Sequence, residues 1–200
     1  MAKINNYDIK KLVLLALLTA IVIVFQFLGT FIRFGQFSVS LVLMPIAIGA
    51  ALLGILAGAW LGLVFGFVVL ISGDATPFLT INPAATIFIV LIKGALAGLT
   101  AGAVYKLLES KGKTLAAIAA AIACPVVNSG VFITGCYLFF LPTLTDWGVA
   151  VGAVNVTAFI FLILIGANFF FELGVNLVLS PAIVRIIQFR TQEKSQTEAD

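Results

Sequence analysis

Two ladders of glycine, each repeating every fourth residue, constrain this chain more than any other feature of it. One is Gly54, Gly58, Gly62 and Gly66, within GILAGAWLGLVFG; the other is Gly94, Gly98 and Gly102, within KGALAGLTAG. A period of four places each ladder on one face of a helix. In a water-soluble helix such a glycine costs roughly 1 kcal/mol relative to alanine, so a regular series inside apolar segments needs a compensating gain. Close approach of backbones inside a membrane supplies it, because helices that cannot use the hydrophobic effect against lipid pack through small residues. The ladders therefore predict two adjacent helices, each offering a flat seam to a neighbour. Composition agrees: 62% hydrophobic residues against 10% charged ones is far from the roughly 25% charge of a soluble domain. The chain reads as an all-α integral membrane protein.

Hydropathy marks a first span from Leu12 to about Phe31, long enough for the roughly 30 Å hydrocarbon core. Its basic approach, MAKINNYDIKK, resembles a signal peptide, but the apolar run is too long and no A-x-A cleavage site follows. TFIRFGQ, with Arg33 and Gly35, is a short loop. The apolar run from Phe37 to Ile71 is too long for one span, and Gly54 is the expected turning point between a short second span, about 39–52, and a third, about 55–72. SGDATPFLTINP follows as a polar loop and lid. A fourth span runs from Ala84 to Leu108 with Lys93 inside it, ESKGKT is a charged turn, and a fifth span, Leu115 to Leu141, contains Pro125 and Asn128. Pro142 to Trp147 is a second polar break.

Gly148 to Ile187 allows one further span or two, and the distribution of cations decides, since short loops rich in Lys and Arg stay cytoplasmic. Six spans place Lys3, Lys10, Lys11, Lys106, Lys111, Lys113, Arg185, Arg190 and Lys194 inside and only Arg33 outside. The expectation is six transmembrane helices in a bacterial cytoplasmic membrane, both termini cytoplasmic, with about 167–189 as the last span. Residues 148–165 then form an outer segment that packs or dips back without crossing, under cover of protein. Residues 1–190 make a single membrane domain and 191–200, TQEKSQTEAD, a disordered cytoplasmic tail.

Catalytic and cofactor signatures are missing. There is no histidine, and Cys124 and Cys136 stand about 18 Å apart along a helix, so neither a metal site nor a cofactor is expected. No Gly-x-Ser-x-Gly elbow and no phosphate-binding loop occurs, so the chain is expected to be no enzyme and to have no ATPase site of its own. A scattered net charge of +3 gives no reason to expect nucleic acid.

What remains is a set of polar residues that lipid would not tolerate. Lys93 and Glu172 lie within spans, where an ionisable group costs roughly 2.5–3.5 kcal/mol unless paired or in a wet cavity. Either Lys93 meets an anionic group in a binding pocket, or the two residues form a salt bridge between helices. Asn82, Asn128, Asn155, Asn168 and Asn176 add amides that donate and accept. Interhelical hydrogen bonding accounts for each of them singly, while outer position, the aromatics Phe78 and Phe132 and the polar loop above keep a pocket open for Asn82, Asn128 and Asn155. Asn176 lies deeper and is set aside. Tyr137, Phe139, Phe140 and Trp147 suit an interfacial belt or a pocket wall, Gln26 suits helix packing, and Trp60 an interface anchor.

Taken in order, several motifs carry a family resemblance: a basic N-terminus before Ala16-x-x-x-Ala20, VLMPIAIGAALLG, GILAGAWLGLVFG, SGDATPFLTINP, KGALAGLTAG before VYKLL, CPVVNSG, and SPAIVRII. Over about residues 8–189 this series resembles the substrate-binding S component of an energy-coupling factor (ECF) vitamin transporter. The resemblance implies six helices with a short second one, and outer loops capping a vitamin site near the outer face. It implies high-affinity capture by this subunit alone, then toppling on a membrane scaffold subunit driven by two ATPase subunits, with Ala16 and Ala20 matching the scaffold-docking patch. The candidate substrate residues are Arg33, Asn82, Lys93, Asn128, Asn155, Asn168 and Glu172. Riboflavin, pantothenate and cobalamin remain open; Lys93 and Arg33 lean toward a carboxylate-bearing vitamin such as pantothenate. Segment 148–165 departs from the family pattern. Two other readings stand beside this one: a stand-alone proton-coupled carrier using Glu172, and a membrane assembly protein with no ligand.

Overall fold

The computed structural model describes residues 6–31, 33–34, 37–38, 41–166 and 168–179. It begins with α1, Asn6–Gly29, followed by two-residue strands β1 (Arg33–Phe34) and β2 (Phe37–Ser38), which pair antiparallel. Two short apolar helices come next, α2 (Leu43–Leu53) and α3 (Ile55–Ile71), with Gly54 alone between them. Gly54 has φ 98°, and its N–H bonds the Ala50 carbonyl as it closes α2. A residue with a Cβ would be strained there, so one glycine turns the chain without a loop.

The polar loop after α3 contains a single turn, α4 (Thr76–Leu79), and leads into the long α5, Pro83–Leu108. A second long helix, α6, spans Lys113–Phe139. Four segments are long and apolar enough to cross a membrane: Asp8–Gly29, Pro83–Leu108, Lys113–Phe139 and Val156–Leu179. With α2 and α3 they make six apolar helices among the described residues. Their outward faces carry Leu12, Leu56, Phe67, Leu107 and Val178, all exposed, which is a surface that lipid can solvate.

The two glycine seams face each other. Gly58 of α3 lies on the carbonyl of Gly98 in α5 and Gly98 on that of Gly58; Gly62 and Gly94 are matched in the same reciprocal way. Gly66 meets Val90, and Gly102 meets Ile55, in the same antiparallel register. A Cβ added at any of these glycines would collide with opposing backbone or side chain. The small residues thus bring two backbones into direct contact over about three turns.

Two stretches differ from the expectation. Residues 142–147 are not a break but part of a helix, α7, Leu141–Ala150. The interruption falls at Phe140 (φ −126°), and Pro142 stands in the first turn, where its missing N–H is not needed. Nor is 148–165 wholly an outer segment: the last span begins at Val156, with a π-helical stretch over Phe159–Leu164. Cation distribution bears on how many spans to expect, but not on where a 40-residue apolar run begins to cross. The local signal is Asn155, whose Oδ1 accepts from the Ala158 N–H at 2.7 Å and caps this helix. The expected end of that span near residue 189 and the tail 191–200 lie outside the described residues.

Two buried clusters make the interior. One gathers α1, α2, α3, α5 and α6 around Leu43, Ile46, Leu61, Phe65, Ala97 and Ala117. The other gathers α4 to α7 and the last span around Phe78, Ile89, Phe140, Leu144 and Ile160.

Candidate functional site

Where these clusters meet, the packing opens into a cavity of about 70 Å³ lined from both. It takes Phe65 and Val69 from α3, Asp74 and Phe78 from the loop, Lys93 from α5, Asn128 and Phe132 from α6, and Asn168 and Glu172 from the last span. Gln26 reaches it from the end of α1.

Lys93 is placed by its neighbour. Gly94 is held against Gly62 of α3, and one residue along a helix is a rotation of about 100°, so Lys93 turns off the seam toward α6. Its ammonium stands 4.8 Å from the Phe132 ring centre and 5.8 Å from that of Phe65. Such cation–π contacts partly replace the water that the charge has lost. The carboxyl groups of Glu172 and Asp74 line the same cavity.

Each of these carboxylates takes a hydrogen bond from an amide. Gln26 Nε2 donates to Asp74 Oδ2 at 2.6 Å, joining the end of α1 to the loop after α3. Asn168 Nδ2 donates to Glu172 Oε1 at 3.0 Å, one turn away on the same helix. Turning either amide over would set oxygen against carboxylate, so Gln26 Oε1 and Asn168 Oδ1 must point elsewhere. Both are buried without a hydrogen-bond partner, and so is Asn128 Oδ1. A buried acceptor left unmet costs roughly 1–3 kcal/mol, and all three belong to residues that line the cavity.

Aromatic rings close the loop end. Phe78 of α4 packs edge-on against Phe140 at 4.9 Å, Phe132 at 5.5 Å and Trp147 at 5.8 Å. This turn of helix lies over the cavity like a plug, with Phe78 buried at its centre.

Of the residues singled out in the sequence, Lys93, Asn128, Asn168 and Glu172 line the cavity together. Asn82 and Asn155 do not. Asn82 caps α5, its Oδ1 accepting from the Ala85 N–H at 3.1 Å, and Asn155 caps the last span. Arg33 stands in β1, and its side chain lies outside the described residues. Asn176 donates to the Glu172 carbonyl at 2.9 Å. The sequence reading missed Gln26 and Asp74 as lining residues. A lone amide in a span and a lone carboxylate in a loop, 48 residues apart, carry no local sign that they pair.

Ala16 and Ala20 are exposed on α1, among the lipid-facing Leu12, Val13, Leu17 and Val24. Thr19, on the neighbouring face, accepts from Trp60 Nε1 of α3 at 3.4 Å.

A family model described as ECF transporter, substrate-specific component, matches residues 10–184 of the chain. No curated protein and no solved structure matches it.

Proposed function

The chain belongs to the family of ECF transporter substrate-specific components, and on that premise we propose that its cavity captures a water-soluble vitamin or similar micronutrient at the outer face. Members of this family are substrate-binding membrane subunits, which work with a scaffold and an ATPase module. Lys93, Asn128, Asn168 and Glu172 contact the substrate in this reading, and Phe78 closes over it. The observation that carries it is the gathering of one ammonium, two carboxylates and three amides around a single internal space. Ionisable groups at such depth are expensive unless paired or in a wet cavity, and a cluster of them around one space points first to a binding site. Asn82 and Asn155 serve the site indirectly, by fixing where α5 and the last span begin.

Mass spectrometry of small molecules released from the protein, purified alone in detergent, tests the reading. A stoichiometric micronutrient is expected. An empty preparation, with no thermal shift across a vitamin panel, would return the polar cluster to a packing role. A proton-coupled carrier would instead lose uptake to an uncoupler while ATP is maintained.

Delivery depends on the exposed small-residue patch of α1. Ala16→Trp is expected to abolish uptake in cells carrying the scaffold and ATPase subunits, and to leave ligand binding by the isolated protein intact. Loss of both would count against a docking role for Ala16 and Ala20.

A further inference from the structure

The cavity is too small for the molecule that it would hold. About 70 Å³ is room for a few waters, against the roughly 300–1,000 Å³ of pockets that take small molecules. Part of the wall must therefore move aside on entry. The seam cannot supply that movement, because α3 and α5 already touch backbone to backbone along it. Residues 72–82, which join α3 to α5, can. Gly73 has φ 90°, a conformation that a residue with a Cβ rarely adopts. The hydrogen bonds around it are short-range: the Ser72 hydroxyl donates to the Val69 carbonyl at 3.2 Å, the Thr76 N–H to the Gly73 carbonyl at 3.1 Å, and the Thr80 hydroxyl to the Pro77 carbonyl at 3.0 Å. Bonds of that kind do not tie the segment to the far side of the cavity.

Two other contacts do. The Phe78 ring packs against Phe132, Phe140 and Trp147. Gln26 Nε2, at the end of α1, donates to Asp74 Oδ2 at 2.6 Å, and the Ser72 hydroxyl approaches the same oxygen at 3.5 Å. Gln26 and Asp74 are both buried. Ring contacts are many and individually weak, so they loosen by degrees. A bond from an amide to a carboxylate is strict in geometry, and is either made or broken. Asp74 follows Gly73 directly, so this bond holds the segment where its backbone is able to turn.

From these positions we propose that Gln26 and Asp74 form the latch of a lid, residues 72–82, which turns about Gly73 and carries Phe78 out of its aromatic seat to admit the substrate. The proposal rests on the substrate-binding reading above and supplies the step by which the site is reached. Gln26 acts in it as a positioning residue, through Asp74.

Hydrogen exchange, read by mass spectrometry on the whole protein in detergent with no ligand added, tests the latch. The N–H groups of Leu79, Thr80 and Asn82 are bonded within the lid, to the carbonyls of Ala75, Thr76 and Phe78, and a single turn of helix does not persist once undocked. In the wild type these amides are expected to exchange by local opening, faster than those of α5. Gln26→Leu should accelerate them about 10–100-fold, the range for loss of a hydrogen bond to a charged group, and leave α3 and α5 unchanged. Gln26→Glu with Asp74→Asn, in which donor and acceptor change places, should restore the wild-type rate. Four results overturn the proposal: lid amides no faster than those of α5 in the wild type, an unchanged rate in Gln26→Leu, acceleration spread through α3 and α5, or no rescue by the paired change. The wild-type comparison stands even if a variant fails to fold.

Entry is tested with a cationic thiol reagent, trimethylammonioethyl methanethiosulfonate, on Ser129→Cys, a position on the cavity wall. Peptide mass spectrometry separates labelling there from labelling of the buried Cys124 and Cys136. Adding Gln26→Leu should raise the labelling rate by about the factor seen in exchange. Equal rates with and without Gln26→Leu would mean that the cavity is entered elsewhere, and overturn the lid. Failure of the broader reading is distinguishable: a preparation with no released micronutrient removes the substrate but leaves the exchange and labelling results standing, whereas a stoichiometric micronutrient with unchanged exchange removes only the latch.

Discussion

Lys93 and Gly94 are consecutive on α5, yet one opens on a cavity and the other lies in a seam where two backbones touch. The contrast follows from the solvent. In lipid, burying an apolar side chain gains little, so helices are held by close contact and by polar bonds between them. The glycine seam supplies the first: about three turns of α3 and α5 in contact, with no side chains between the opposed glycines. The cavity region spends stability instead, with buried charges and unmet amide oxygens. A site of that kind is tolerated only where neighbouring structure over-determines its geometry. The seam does this for Lys93, because α5 cannot rotate or slide against α3 without driving a glycine carbonyl into the opposing chain.

The most severe test of this division is Gly62→Leu. Its Cβ would meet the Gly94 carbonyl, a backbone atom that no rotamer change can move aside. Overpacking of this kind costs about 1–3 kcal/mol even where side chains yield, and here the helices themselves must separate. The expected outcome is loss of a monodisperse protein on gel filtration, or a collapse of the melting temperature. A Gly62→Leu protein that melts like wild type would remove the seam from the account and leave the placement of Lys93 unexplained.

Lys93→Met should act the other way. Removing a charge from inside a membrane protein relieves a desolvation cost, so the melting temperature of the ligand-free protein is expected to hold or rise. Affinity for the molecule released from the wild type should fall about 10–100-fold, the range of one or two hydrogen bonds to a charged group. Isothermal titration beside a thermal melt reads both quantities. If the melting temperature falls with the affinity, and Lys93→Met with Glu172→Gln is milder than either alone, the two residues chiefly hold helices together.

These two regions were also unequally legible. The seam could be read because a period of four is local: each ladder announces a face, and Gly54 announces a turn. That the two faces meet each other, in reciprocal register, is a tertiary fact no single ladder contains. At the cavity, Lys93, Asn128, Asn168 and Glu172 stood out because their polarity conflicts with the apolar runs around them. Asn82 and Asn155 stood out for the same reason but serve as helix caps. For Asn82 the local sign was present, since Asn followed by Pro is a helix start. Gln26 and Asp74 were illegible as a pair because their contact joins segments far apart in sequence. The start of the last span was obscured because hydropathy is uniform across it, leaving only the Asn155 cap to mark it.

The smallest effect is expected from the same chemical change made in two places. Gly130 lies on α6, on the wall of an apolar groove with Phe88, Ile92 and Val126, and a Cβ there meets nothing within 4 Å. Gly130→Ala should therefore leave ligand affinity unchanged, and the melting temperature unchanged or raised by a fraction of the roughly 1 kcal/mol that separates glycine from alanine in a helix. Gly62→Ala adds the same methyl group but directs it at the Gly94 carbonyl, and should destabilise. Opposite signs would mean that the seam depends on which face a glycine occupies, as the period-four register requires. Equal losses would mean that glycine matters in this bundle for backbone flexibility wherever it stands, and the contrast between a close-packed seam and an open cavity would no longer explain why the ladders are there.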